Sequence, residues 1–220
     1  MQTWLSWSSG KDSAWSLEML RCGGEHEATG LFTTVNAQFD RVAMHAVRRT
    51  LLEAQAKAVG LALHVIDIPY PCPNADYERI MGGLVAKAQA HGVAAMAFGD
   101  LFLADIRGYR ERQLAGTGIA PLFPLWGRET RALAAEMIDG GLVAHVTCVD
   151  PRKLDRAFAG RPFDRAFLAD LPAGVDPCGE NGEFHTFVSA GPMFREAVPV
   201  RLGDVVDRDG FVFADMVAIG

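Results

Sequence analysis

Apolar positions along the chain follow two alternating rhythms. Short, nearly continuous apolar runs stand at residues 3–7, 28–35, 61–68 and 93–98, the length and composition of strands, and the last is apolar enough to be covered on both faces. Between the runs, apolar residues return every three or four positions. Ala14, Leu17 and Leu20 predict a helix from residue 14 to about 21, ended by Gly23-Gly24. Ala43, Val47, Leu51, Ala54 and Ala58 predict a long helix that starts at Asp40 and stops at Gly60. After a loop over 69–74, Tyr77, Ile80, Met81, Leu84, Val85 and Ala88 predict a third, ending at His91-Gly92. Strand and helix thus alternate, which predicts an α/β fold built on a mostly parallel sheet, with ligand sites at the C-terminal ends of its strands.

The rhythm changes at residues 121–126, where Pro121, Pro124 and Trp126 cluster. Beyond them the pattern predicts a helix over 129–138, a strand over 142–149, and a hairpin of residues 198–206 and 211–218 turning at Arg208-Asp209-Gly210. This shift divides the chain into two expected domains, 1–124 and a smaller α+β domain, 125–220.

Composition narrows the partners. With 220 residues, 50% of them hydrophobic, the chain can bury a sizeable core. A net charge of −6 and an isoelectric point near 5.5 argue against a broad nucleic-acid surface. The four cysteines, Cys22, Cys72, Cys148 and Cys178, form no C-x-x-C pair and read as reduced thiols of a cytoplasmic protein. Nowhere do 18 apolar residues run together, so no membrane span is expected. The sequence leaves a homo-oligomer open.

Chemistry concentrates in three stretches. The first, Ser8-Ser9-Gly10-Lys11-Asp12-Ser13, sits between the first predicted strand and helix. Small residues let backbone N–H groups approach an anion, and the helix start adds positive dipole. Neither the Walker A spacing nor G-x-G-x-x-G is present, because Gly10 is preceded by Leu5 at the required position and is the only glycine before Gly23. In the second stretch, Gly99 and Asp100 follow the fourth strand. Asp105, Arg107, Tyr109, Arg110 and Arg112 come next, where carboxylates suit magnesium or substrate and guanidinium groups suit phosphate or carboxylate. His45 and Arg48 read as surface residues. The third is Gly179-Glu180-Asn181-Gly182-Glu183-Phe184-His185-Thr186, a loop running into a strand. Alternation there places Glu183 and His185 on one face, opposite Phe184 and Thr186. Such a pair can hold substrate, bind a metal or move a proton.

The first stretch resembles the PP-loop, S-G-G-x-D-S, of ATP pyrophosphatases, with Ser9 in place of the first glycine. If that position takes positive φ, a serine there is strained by about 1 kcal/mol. In order, the three stretches together with residues 121–126 resemble the diphthine–ammonia ligase family of PP-loop ATPases, over nearly the whole chain. The resemblance implies a Rossmann-like nucleotide-binding domain of the adenine nucleotide α-hydrolase type, followed by a substrate domain. It implies ATP with Mg2+, ammonia, and a carboxylate acceptor, protein-borne or small, that is adenylated and then amidated. Ser8, Ser9, Gly10 and Ser13 would cradle pyrophosphate, Lys11 would offset its charge, and Asp12 would orient the loop or bind magnesium. Gly99 and Asp100 would complete the nucleotide site, and Asp105, Tyr109, Arg110, Glu180, Asn181, Glu183 and His185 would serve the acceptor. Lys11, Asp12, Glu183 and His185 would carry the chemistry. Two rival readings are a nucleotide-binding protein without turnover and a PP-loop tRNA-modifying enzyme, the latter calling for catalytic cysteines and a basic surface.

Overall fold

The computed structural model describes residues 1–38, 41–42 and 47–219. From the N-terminus, β1 (Gln2–Ser6) leads into α1 (Lys11–Gly23), then β2 (Glu27–Asn36), β3 (Arg41–Val42), α2 (Arg49–Val59) and β4 (Ala62–Ile68). Next come α3 (Asn74–Ala90), β5 (Ala95–Ala97), α4 (Ala104–Leu114) and β6 (Ala120–Leu122). The remaining elements are α5 (Thr130–Asp139), β7 (Val143–Val149), α6 (Arg165–Asp170), β8 (Phe184–Ala190), β9 (Val200–Arg208) and β10 (Phe211–Ala218).

Among the described residues β1 to β6 form one sheet, in which β2 pairs with β4 and β1, and β1 in turn with β5, then β6. All of these pairs are parallel, and only β3 runs antiparallel, against the end of β2. The central strands bury both faces, as parallel strands must when helices cover each side. Leu5 and Leu31 pack into a core with α1 and α2, while their neighbours Trp4 and Phe32 pack with Met81, Leu84 and Ala88 of α3 on the opposite face. The second sheet has the order β8-β7-β10-β9 and is antiparallel throughout. Its inward residues, among them Val146, Phe187 and Met216, belong to the same buried cluster as Leu5 and Leu17, so the two sheets share a core. This is an α/β architecture with a Rossmann-like parallel sheet and a smaller, C-terminal antiparallel part.

One expectation fails. The helix expected from Asp40 begins only at Arg49, and Arg41–Val42 is a strand. Val47 and Leu51 do have helical spacing, but the β-branched, buried Val42 and Val47 pair with each other, the Val42 amide donating to the Val47 carbonyl at 2.9 Å. Asp40, Ala43 and His45 lie outside the described residues. The pattern did not single out β6, the strand that contains Pro121. It occupies the sheet edge beside β5, where proline's lack of an N–H removes no ladder bond.

Candidate functional site

α1 begins at Lys11, three residues earlier than the periodicity suggested, which puts Lys11, Asp12 and Ser13 in its first turn. The loop before it leaves β1 beside β5, at the point where chain order in the sheet reverses from β2 on one side to β5 on the other. Open α/β sheets form ligand crevices at such switch points, outside the strand C-termini. A cavity of about 280 Å³ lies there.

One wall is the loop and the first turn of α1, through Ser8, Lys11, Asp12 and Ser13. The Ser13 hydroxyl donates to the Gly10 carbonyl at 2.9 Å, and the Ser8 hydroxyl accepts from the Gly10 amide, so the loop is braced by its own short side chains. Ser9 has φ +72°, the left-handed conformation that glycine adopts without strain. It is fully buried and does not line the cavity; its carbonyl instead accepts from the Gln55 side chain and the Val188 amide of β8. The Lys11 amide donates to the Thr186 hydroxyl at 3.1 Å. The cradle is therefore fastened directly to the second sheet at two points, and Gln55 of α2 adds a bridge by donating to both the Ser9 and Val188 carbonyls.

The Lys11 side chain is 2% exposed, and its ammonium donates to Asp12 Oδ2 at 2.8 Å and to the Cys178 carbonyl. Two of its three protons are taken, leaving one for an anion in the cavity. Burial, the largest single influence, pushes this ammonium toward neutrality, but its charged and hydrogen-bonding neighbours together, Asp12 first among them, outweigh that, so its pKa is raised and Lys11 stays charged.

The second wall comes from Gly99 and Asp100. A Cβ on Gly99 would stand 3.1 Å from the Asp12 backbone, so glycine allows the strand end to pack tightly on α1. Burial raises the Asp100 carboxyl, only partly offset by Arg110, whose Nε lies 3.9 Å away. Asp12 Oδ1 and Asp100 Oδ2 are both buried without a hydrogen-bond partner and belong to the same cavity. Two orphaned carboxylate oxygens facing one crevice fit a divalent cation. Among the described residues no cluster of three or more acidic, histidine or cysteine side chains could hold a metal. Magnesium is commonly held by one or two carboxylates together with phosphate oxygens.

The third wall is the 178–186 segment, with Glu180, His185 and Thr186 in the lining. Burial pushes Glu180 up to about 7, against the Leu101 amide that donates to its Oε1 at 2.8 Å. Burial likewise drops His185 to about 4, reinforced by Lys11, leaving a neutral imidazole at pH 7. The Cys178 thiol is pushed up to about 12 by burial and donates to the Thr130 carbonyl.

Not every expected site residue reaches the cavity. Ser8, Lys11, Asp12, Ser13, Gly99, Asp100, Arg110, Glu180 and His185 line it, whereas Ser9, Gly10, Asp105, Tyr109, Asn181 and Glu183 do not. Asp105 is exposed on the first turn of α4, and Tyr109 lines a separate groove with Glu78 and Arg112 between α3 and α4. The expected shared face of Glu183 and His185 is not formed. Glu183 precedes β8 and turns into its own loop, accepting from the Asp176 amide at 3.1 Å and from the Asn181 side chain at 3.2 Å. Instead His185 and its neighbour Thr186 both reach the cavity, opposite a register irregularity in β7 between Val146 and Cys148. Thr186 and Gln55 escaped the sequence reading. Gln55 left one trace, a polar residue on the buried side of an apolar helix; Thr186 left none beyond its place in the third stretch.

Comparison with known proteins gives a consistent set of similarities. The family described as diphthamide synthase C-terminal domain matches residues 129–212, which include the third wall. The diphthine–ammonia ligases of Bos taurus and Homo sapiens are each 26% identical to it, over 94% of this chain and 85% of theirs. That of Danio rerio is 27% identical over 94% of this chain and 89% of its own length. The similarity to diphthine–ammonia ligases thus spans both sheets, and the domain match covers the second.

Proposed function

We propose that this chain is an ATP-dependent ligase that adenylates a carboxylate and amidates it with ammonia. The observation that carries this reading is the cavity at the switch point, lined by a buried, charged lysine, a serine-lined helix start and two carboxylates that each keep one buried oxygen without a hydrogen-bond partner. A carboxylate does not react usefully with ammonia until its oxygen becomes a good leaving group. Its oxygen attacks the α-phosphorus of ATP, the bond from that phosphorus to the bridging oxygen breaks, and pyrophosphate departs. Ser8, Ser13 and the start of α1 receive the departing charge, and Lys11 donates its remaining proton to it; such preorganised donors supply one of the larger catalytic terms. Asp12 and Asp100 would hold Mg2+, which when bound neutralises phosphate charge. Ammonia then adds to the acyl carbon, the bond to AMP breaks, and His185, neutral at pH 7, is placed to accept the proton the nitrogen loses.

Several features support the division of labour expected from the sequence, residues 1–124 for nucleotide and 125–220 for acceptor. β1 to β6 end by Leu122, the second sheet begins at Val143, and His185 comes from that sheet. The protonated Cys178 thiol weighs against a thiolating, tRNA-modifying role, which needs a nucleophilic thiolate. Among the described residues no helix is long and apolar enough to cross a membrane. The test is incubation with ATP, magnesium and 15N-ammonium over a pool of free and protein-borne carboxylates. Nitrogen-15 should enter one acceptor as an amide, identified by mass spectrometry, and absence of label from every carboxylate would remove amidation from the reading.

A further inference from the structure

The loop after β5 and the loop before β8 are 79 residues apart in the chain and meet across the cavity through one contact. The Leu101 amide donates to Glu180 Oε1 at 2.8 Å. On the other side, the Leu101 carbonyl accepts from the Gly127 amide at 2.8 Å, and the Leu101 side chain is completely buried. Leu101 is thus held from both ends, and its neighbour Asp100 carries a buried oxygen without a hydrogen-bond partner in the cavity that Asp12 also lines. Glu180 is itself held. Its amide donates to Asp176 Oδ1 at 3.1 Å, an oxygen that also accepts from the Cys178 amide at 2.9 Å, and the Cys178 carbonyl receives Lys11. The chain of contacts runs from the Lys11 ammonium through the 176–180 turn and the Glu180 carboxylate to Leu101 and Asp100. Gly179 makes the turn possible at φ +70°, where a Cβ would lie 2.7 Å from the Phe184 carbonyl.

We infer that Glu180 is a positioning residue, a latch that fixes the Gly99–Leu101 backbone against the second sheet and so sets Asp100 opposite Asp12. The inference deepens the proposed ligase reading and rests on it for its kinetic consequence, but the latch is measurable in the free protein. A hydrogen bond to a carboxylate contributes enough to change an opening equilibrium on the order of tenfold or more. A glutamine retains a side-chain carbonyl able to accept from Leu101, whereas alanine does not.

Hydrogen exchange of the Leu101 amide in the nucleotide-free protein reads the latch directly. Glu180→Ala should speed this exchange about tenfold or more, and Glu180→Gln should restore most of the protection. In turnover with ATP, magnesium and ammonium, Glu180→Ala should lower kcat about tenfold while shifting the ATP KM by less than about threefold, because the Ser8 to Ser13 cradle is intact; Glu180→Gln should recover most of kcat. Unchanged Leu101 exchange in Glu180→Ala would overturn the latch. So would a Glu180→Gln protein as slow in turnover as Glu180→Ala despite protected Leu101, since the carboxylate charge would then be what matters. Wild-type protein that forms no AMP, with Leu101 exchange responding as expected, would count against the ligase reading and leave the latch standing.

Discussion

The two walls that face each other across the cavity are built by opposite means. The 8–13 wall is a backbone structure: short hydroxyls brace it locally, a helix start points into the crevice, and Lys11 is its only charged side chain reaching out to the other wall. The 176–186 wall is held by acidic side chains that fold back on their own loop, Asp176 accepting from the Cys178 and Glu180 amides and Glu183 from the Asp176 amide. A carboxylate in a conspicuous motif can therefore be architecture. Of the two glutamates in the third stretch, Glu183 shapes the loop and only Glu180 faces the cavity.

The largest expected effect lies where the walls join. Gln55 accepts from the Trp7 indole at 2.9 Å and donates to the Ser9 and Val188 carbonyls, all buried. Gln55→Leu leaves the Trp7 N–H and the Val188 carbonyl without partners and should cost about 3 kcal/mol in chemical denaturation. A cost below about 1 kcal/mol would mean that the walls are not joined through this amide.

Next in size is a contrast in nucleotide binding. Lys11→Ala should weaken ATP affinity on the order of tenfold to a hundredfold by calorimetry, a loss of about 1.5–3 kcal/mol. Glu183→Gln, which keeps a side-chain acceptor within its loop, should leave ATP affinity within about threefold and cost about 1 kcal/mol of stability. Equal losses of affinity in the two proteins would erase the distinction between the walls.

The pH dependence separates two groups of the same wall. Glu180, at about 7 when folded, is raised above the ordinary 4.5, so the native state favours its proton and stability from this residue falls as pH rises from about 4.5 to 7. His185, at about 4, is lowered from 6.5, so its contribution runs the other way and is lost as pH falls from about 6.5 to 4. The two oppose each other in the wild type. Denaturation midpoints of His185→Gln should therefore fall more steeply with rising pH over 4–6.5 than those of the wild type, and an unchanged slope would contradict the burial of His185.

The smallest effect returns to the cradle. Ser9 has both a left-handed backbone and a buried hydroxyl without a partner. Ser9→Gly relieves both while adding chain entropy to the unfolded state, and should stabilise by about 1 kcal/mol. Destabilisation in a thermal melt would show that the serine hydroxyl has a role the hydrogen-bond pattern does not reveal.

How much was legible in the sequence follows from the same contrast. The cradle was readable because it is local: a strand, small residues and a helix start within a dozen positions fix its geometry, and even the strain at Ser9 followed from one missing glycine. The alternation of β1, β2, β4 and β5 with their helices was readable from burial on one or two faces. What escaped was set by distant partners. The Arg41–Val42 strand depends on Val35 and Val47, β6 on an edge that tolerates Pro121, and the inward turn of Glu183 on amides at Asp176 and Asn181. Gln55 and Thr186, which tie the loop to the second sheet from 46 and 175 residues away, have no spacing to betray them.

The central claim is that the 8–13 loop receives the pyrophosphate end of ATP, so that cleavage falls at the α-phosphorus. The most direct measurement is the nucleotide product formed with ATP, magnesium, ammonium and the carboxylate pool, separated by chromatography with pyrophosphate measured in parallel. The account predicts AMP and pyrophosphate in equal amounts, both lost in Lys11→Ala. ADP and inorganic phosphate as the main products would contradict it.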